Sequence, residues 1–205
     1  MAWRRTKGAC CLALLLSSGL FISVSASAAK LEEMLEIKSA LLRPCEKNLA
    51  YDCVKVDVRF NVDAPIGTVW QVITDYQNAA QFISNLRSST ETSLATNSVQ
   101  VEQVGRVGWG ILNVDIRTVY KVSLNPIEKK IDSVSVGGDL QTVRMVTELK
   151  SKANGGTLLE YTLVTDPGPW APLAITEELL KRQARQSFVD LRREILKRDN
   201  ATLKR

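Results

Sequence analysis

The sequence predicts an α+β domain with a seven-stranded antiparallel sheet, two short helices and a long C-terminal helix. Three observations carry this. Val54, Val56, Val58, Phe60 and Val62 alternate with Lys55, Asp57, Arg59 and Asn61, giving a strand one buried and one wet face. Asp63-Ala64-Pro65 then switches the apolar period from two to about 3.6, the mark of a helix start. Six further strand-like runs follow, and after them a segment whose apolar residues recur at helical steps.

In chain order, residues 1–29 read as a secretory signal. Arg4, Arg5 and Lys7 precede an apolar run from Ala9 to Val24, and Ala26-Ser27-Ala28 supplies small cleavage residues. The run is short for about 30 Å of hydrocarbon and is interrupted by Ser17-Ser18-Gly19. A secreted or periplasmic location follows as an expectation. The net charge of +5 includes three positive charges in this leader, so the mature chain carries about +2. That balance does not point to nucleic acid.

Residues 30–53 read as an N-terminal extension. Leu31, Met34, Leu35 and Leu41 suggest a short helix over Lys30–Arg43, ended by Pro44. In an exported chain, Cys45 and Cys53 favour a disulfide into the first strand. Two free thiols and a redox pair are the alternatives, although the spacing is not C-x-x-C.

The main domain spans 54–198, with a polar tail at 199–205. After the first strand, Ile66, Val69, Trp70 and Ile73 form one helical face, and Phe82 and Ile83 turn inward from a second short helix at Ala79–Leu86. Strands are expected at Ser88–Leu94, Val99–Trp109, Asn113–Val122, Lys130–Val136, Leu140–Leu149 and Thr157–Val164. Turn residues at Asn125-Pro126, Gly137-Gly138-Asp139 and Asn154-Gly155-Gly156 join them as a meander. Gly105, Gly108 and Gly110 match no phosphate loop and read as a strand bend. Asp166-Pro167-Gly168-Pro169 ends the sheet, and Leu180, Ala184, Phe188, Leu191 and Ile195 make the apolar stripe of the long helix.

This order, with the words Pro65-Ile66, Val69-Trp70, Asp75-Tyr76, Phe82-Ile83, Asn85-Leu86 and Ser88-Ser89, resembles the polyketide cyclase/dehydrase and lipid transport family. That family belongs to the START-like (SRPBCC) helix-grip superfamily and includes coenzyme-Q-binding proteins. The resemblance spans Lys55 to Lys197, with Ala80 where the family often has proline. It implies a helix-grip fold: a curved sheet gripping the C-terminal helix, with an apolar cavity between them. It also implies a hydrophobic small molecule as ligand, a lipid or an isoprenoid- or quinone-like compound. The alternatives are a cyclase or dehydratase acting on a polyketide-like substrate, and an interaction module with a filled cavity.

The chain contains no histidine. This removes Ser-His-Asp and Cys-His catalysis in their usual forms, and most zinc and iron sites with them. The sequence thus implies no metal and no cofactor, and binding is favoured over catalysis. An acid–base pair would have to be sought in Arg144 and Glu148, or in Glu102, yet Val143, Met145 and Leu149 take the buried parity of that strand. Parity also selects the inward set: Val101, Val107 and Trp109; Val114, Ile116, Thr118 and Tyr120; Leu159, Tyr161 and Leu163. The candidate ligand contacts are Phe82, Trp109, Thr118, Tyr120, Tyr161 and Phe188. Hydroxyls on apolar faces need partners when buried, which singles out Thr118, Tyr120 and Tyr161. Trp70 reads as packing, and Trp170 as either a lid or a helix anchor. The late basic residues, from Lys181 to Arg205, read as a solvated face or a contact for an anionic membrane surface.

Overall fold

The structure is a computed structural model that describes residues 34–45, 52–109, 112–140, 142–166 and 172–204. The expected signal and Trp170 lie outside the described residues. Among the described residues there are eight strands: β1 (Leu35–Leu42), β2 (Cys53–Val62), β3 (Leu86–Ala95), β4 (Ser98–Trp109), β5 (Leu112–Asn125), β6 (Lys130–Gly138), β7 (Thr142–Ser151) and β8 (Thr157–Asp166). Helices α1 (Ile66–Ile73) and α2 (Ala79–Phe82) flank a 3-10 turn at Tyr76–Asn78, and α3 runs from Leu173 to Thr202. The strands form one antiparallel sheet in the order β1-β2-β8-β7-β6-β5-β4-β3.

The sheet has eight strands where the sequence predicts seven, because Leu35–Leu42 is a strand and not part of a helix. Leu35, Ile37, Ser39 and Leu41 share one parity, and the burial of Leu-Glu-Ile-Lys-Ser-Ala alternates accordingly. Its whole length pairs with β2, from Leu35↔Phe60 to Leu42↔Cys53. A short amphipathic segment fits either period, and the ladder with β2 decides. Cys45 and Cys53 are joined in a disulfide that ties the end of β1 to the start of β2.

The alternating face of β2 is the centre of the core. Val54, Val56, Val58, Phe60 and Val62 are buried and pack with Phe188 and Ile195 of α3 and Val69 and Val72 of α1. The rings of Phe60 and Phe188 lie 5.4 Å apart at 55°. A second apolar cluster of Val99, Val101, Val122 and Ile131 sits under Trp70, Ile73 and Tyr76. Trp70 touches both clusters, and the Lys129 ammonium lies 5.0 Å above its ring. Between the two clusters the sheet curves away from the helix. Register shifts place an extra residue between Leu86 and Ser88, opposite Gly105, and another between β5 and β6 after Val119. Such bulges bend strands.

Candidate functional site

A curved sheet and a straight helix meet only along part of their length. The space left between them is a cavity of about 960 Å³. Its walls are the concave faces of β4 to β8, the α1–α2 segment and the inner face of α3. Period-two strands supply the wall by parity: Gln103, Gly105 and Val107 from β4; Val114, Ile116, Thr118 and Tyr120 from β5; Val143, Met145 and Thr147 from β7; Leu159, Tyr161 and Leu163 from β8. Gly105 presents only backbone there, and a Cβ would meet nothing closer than 3.8 Å. Val114 lines the cavity and is 59% exposed, and Asp139 and Pro172 at the same end are also exposed. The cavity therefore reaches solvent beside the start of α3, while Phe82, Tyr76 and Ile73 line the opposite end.

Five of the six candidate contacts, Phe82, Thr118, Tyr120, Tyr161 and Phe188, are brought together around this space. The Trp109 side chain lies outside the described residues. Tyr161 meets the edge of the Phe188 ring, with centroids 5.8 Å apart at 66°. Burial pushes the Tyr161 phenol well above its ordinary pKa, and the nearby Tyr120 adds to this. Burial raises Tyr120 too, against the opposing effect of the Thr118 hydroxyl beside it. Both phenols therefore remain protonated across the physiological range.

The acid–base candidates are not part of the wall. Glu102 pairs with Arg117 at 2.6 Å and Glu148 with Lys130 at 3.6 Å, while Arg144 is exposed on the opposite parity of β7. The carboxylates that do line the cavity are Asp75 and Asp139. Asp75 is paired with Arg198 of α3 at 2.8 Å, and the Arg198 guanidinium also lies 5.5 Å over the Phe82 ring. Asp139 accepts the backbone N–H of Arg117 at 2.7 Å. No group of three or more metal-binding side chains occurs among the described residues, and no described helix is long and apolar enough to cross a membrane. Along α3, Lys181, Arg193, Lys197 and Arg198 pair with Glu178, Asp190, Glu194 and Asp75.

The polar wall groups Gln103, Ser133, Thr147 and Thr165 are not among the contacts expected from the sequence, and Asp75 enters there only as part of a family word. Parity was the available signal: Gln103 shares the phase of Val101 and Val107, and Thr147 that of Met145. Polar side chains at inward phase are hard to separate from edge positions without the sheet order.

The sequence profile of the family described as polyketide cyclase/dehydrase and lipid transport matches residues 54–195. The chain belongs to this family. Solved structures of START-like proteins share its fold. The STAR-related lipid transfer protein (fragment 25–204) of Xanthomonas axonopodis is 13% identical, with a TM-score of 0.61 over 78% of this chain and 93% of that one. The Zhui aromatase/cyclase of a Streptomyces species is 13% identical, with a TM-score of 0.60 over 74% and 96%. Human STARD10 is 14% identical, with a TM-score of 0.60 over 93% and 84%. No curated protein sequence matches significantly. At these identities the likeness concerns the helix-grip fold of the polyketide cyclase/dehydrase and lipid transport family. The profile begins at residue 54, so β1 and Cys53 lie before the matched region.

Proposed function

We propose that this family member is an exported binding protein for a hydrophobic small molecule, a lipid or an isoprenoid- or quinone-like compound, held between sheet and helix. The observation that carries the reading is the cavity of about 960 Å³, walled mainly by Val, Ile, Leu, Met and Phe with a few hydroxyls. Small-molecule sites commonly occupy about 300–1,000 Å³ and combine apolar walls with a few orienting polar groups. Burial of apolar ligand surface would supply the affinity, at about 25 cal/mol per Å² before ordering costs. The printed name of the Xanthomonas protein, a lipid transfer protein, supports the same ligand class. The aromatase/cyclase neighbour suggests catalysis instead, but Arg144, Glu148 and Glu102 lie away from the cavity wall, which favours binding.

Export rests on residues 1–29 and on the Cys45–Cys53 disulfide, which suits an oxidising compartment. Contact of α3 with an anionic membrane is a subsidiary proposal, tested by co-sedimentation with phosphatidylglycerol vesicles. The main test is mass spectrometry of an organic extract of the purified mature protein, with titration of a solvatochromic apolar dye. A stoichiometric co-purifying lipid or saturable dye binding is expected. Failure of both would end the reading.

A further inference from the structure

The interior of the cavity offers hydrogen-bond donors but no cation. Among the described wall residues there is no lysine or arginine. The two wall carboxylates are already engaged, Asp75 by Arg198 and by the Asn78 amide at 2.8 Å, and Asp139 by the Arg117 backbone. An anion drawn inside would lose its hydration and meet no opposite charge among the described wall residues.

The hydroxyls behave differently. Gln103 donates its amide to Ser89, and the Ser187 hydroxyl donates to the Asn85 side-chain carbonyl, so these polar groups are satisfied locally. Tyr161 has no hydrogen-bond partner for its hydroxyl among the described residues. That hydroxyl is not sealed off by protein atoms, so it faces the open cavity. Tyr120, close enough to perturb it electrostatically, stands across the curve of the sheet with Thr118 two residues away on the same face. Phe188 packs against the Tyr161 ring and limits where the phenol can point. An apolar ligand filling the cavity would shut this donor off from water at a cost, which a ligand acceptor would avoid.

We propose that the cavity selects neutral, largely apolar molecules bearing a carbonyl oxygen, which accepts a hydrogen bond from the Tyr161 hydroxyl with Tyr120 alongside. This rests on the binding function proposed above and narrows its ligand class, setting ionised fatty acids apart from ketones, quinones and esters. The raised pKa of both phenols keeps them as donors over the range in which the protein would work.

The test is displacement of Nile red from the mature protein by dodecane, dodecan-2-one and dodecanoate at pH 7. Wild type should bind the ketone about tenfold tighter than the alkane, the worth of one buried hydrogen bond. It should bind the carboxylate at least tenfold more weakly than the ketone. In Tyr161→Phe the ketone should fall at least tenfold, to or below the affinity of the alkane, with dodecane unchanged or tighter; Tyr120→Phe should give a smaller loss of the same kind. Equal affinity of wild type for ketone and alkane would overturn the inference while leaving the binding function standing. So would carboxylate binding as tight as the ketone, or an equal loss of both neutral ligands in Tyr161→Phe. If Nile red and all three compounds fail to bind wild type, the binding function itself is removed. A variant that no longer binds dodecane has lost its cavity, and the wild-type ranking then decides.

Discussion

The Asp190 carboxylate on α3 accepts both the backbone N–H of Ser84, at 3.0 Å, and the Ser84 hydroxyl, at 2.5 Å. The side chain is 1% exposed. Its other oxygen takes Gln186 and Arg193, each at 3.2 Å. One carboxylate thus pins the turn after α2, which frames the inner end of the cavity, onto the long helix.

Burial alone would raise the Asp190 pKa, but the Ser84 and Gln186 hydrogen bonds and the Arg193 charge hold it below the ordinary carboxylate range. A depressed folded-state pKa stabilises the protein above the unfolded value and loses that contribution as pH falls through the folded one. Asp190→Asn should lower stability at pH 7 by about 1–3 kcal/mol. The gap between variant and wild type should narrow as pH falls below about 4. Urea unfolding at pH 7 and pH 3 measures both; a gap independent of pH would show that the charge is not what matters.

Gly138 ends β6 at φ +114°, and a Cβ there would stand 2.3 Å from the Arg117 carbonyl oxygen and 2.7 Å from the Thr118 Cα. Neither backbone atom can swing aside. Gly138→Ala should therefore destabilise by about 3 kcal/mol or more, combining a strained φ with a clash. It should also loosen Asp139 from Arg117 at the open end of the cavity. By contrast, Gly105→Ala, with ordinary contacts only, should unfold within about 1 kcal/mol of wild type.

Ala184 lines the cavity from α3, beside Phe188. Ala184→Trp should fill the space a ligand needs and weaken Nile red binding at least tenfold, while the protein still unfolds cooperatively. If binding survives intact, the dye sits elsewhere and the cavity is not its site.

Replacing Cys45 and Cys53 together by serine opens a ring closed over 8 residues of sequence separation. Loop entropy sets the loss at about 2–3 kcal/mol. Because β1 is held by its ladder and by the Ser39–Glu177 hydrogen bond at 2.5 Å as well, the domain should still fold. Hydrogen exchange should then rise first in β1.

How far the sequence discloses this molecule depends on the range of the interactions involved. The β2 face is legible because five apolar residues keep one phase without a break, and the same parity brings Thr118, Tyr120 and Tyr161 to one chamber. β1 is misread because Leu35 and Leu41 fit a helix as well as a strand, and its partner β2 begins only at Cys53. Asp190 reads as one more charge on a basic helix. Only the approach of Ser84, 106 residues away, turns it into a buried acceptor. Gly138 is visible as a turn residue, but its clash with Arg117 depends on how β5 and β6 are brought together. Local pattern encodes phase, whereas burial of a polar group is decided by what arrives from elsewhere in the chain.

β1 also settles where the sheet stops. Without it the backbone edge of β2, whose apolar face is the centre of the core, would be open to pairing with any extended chain. With it the outermost ladder positions belong to a strand carrying Glu36 and Lys38 toward solvent, closed at one end by a covalent bond. A reducing environment would leave the cavity in place and weaken this guard. The first sign of a reduced disulfide would then be self-association through β2, with the core under α3 still packed.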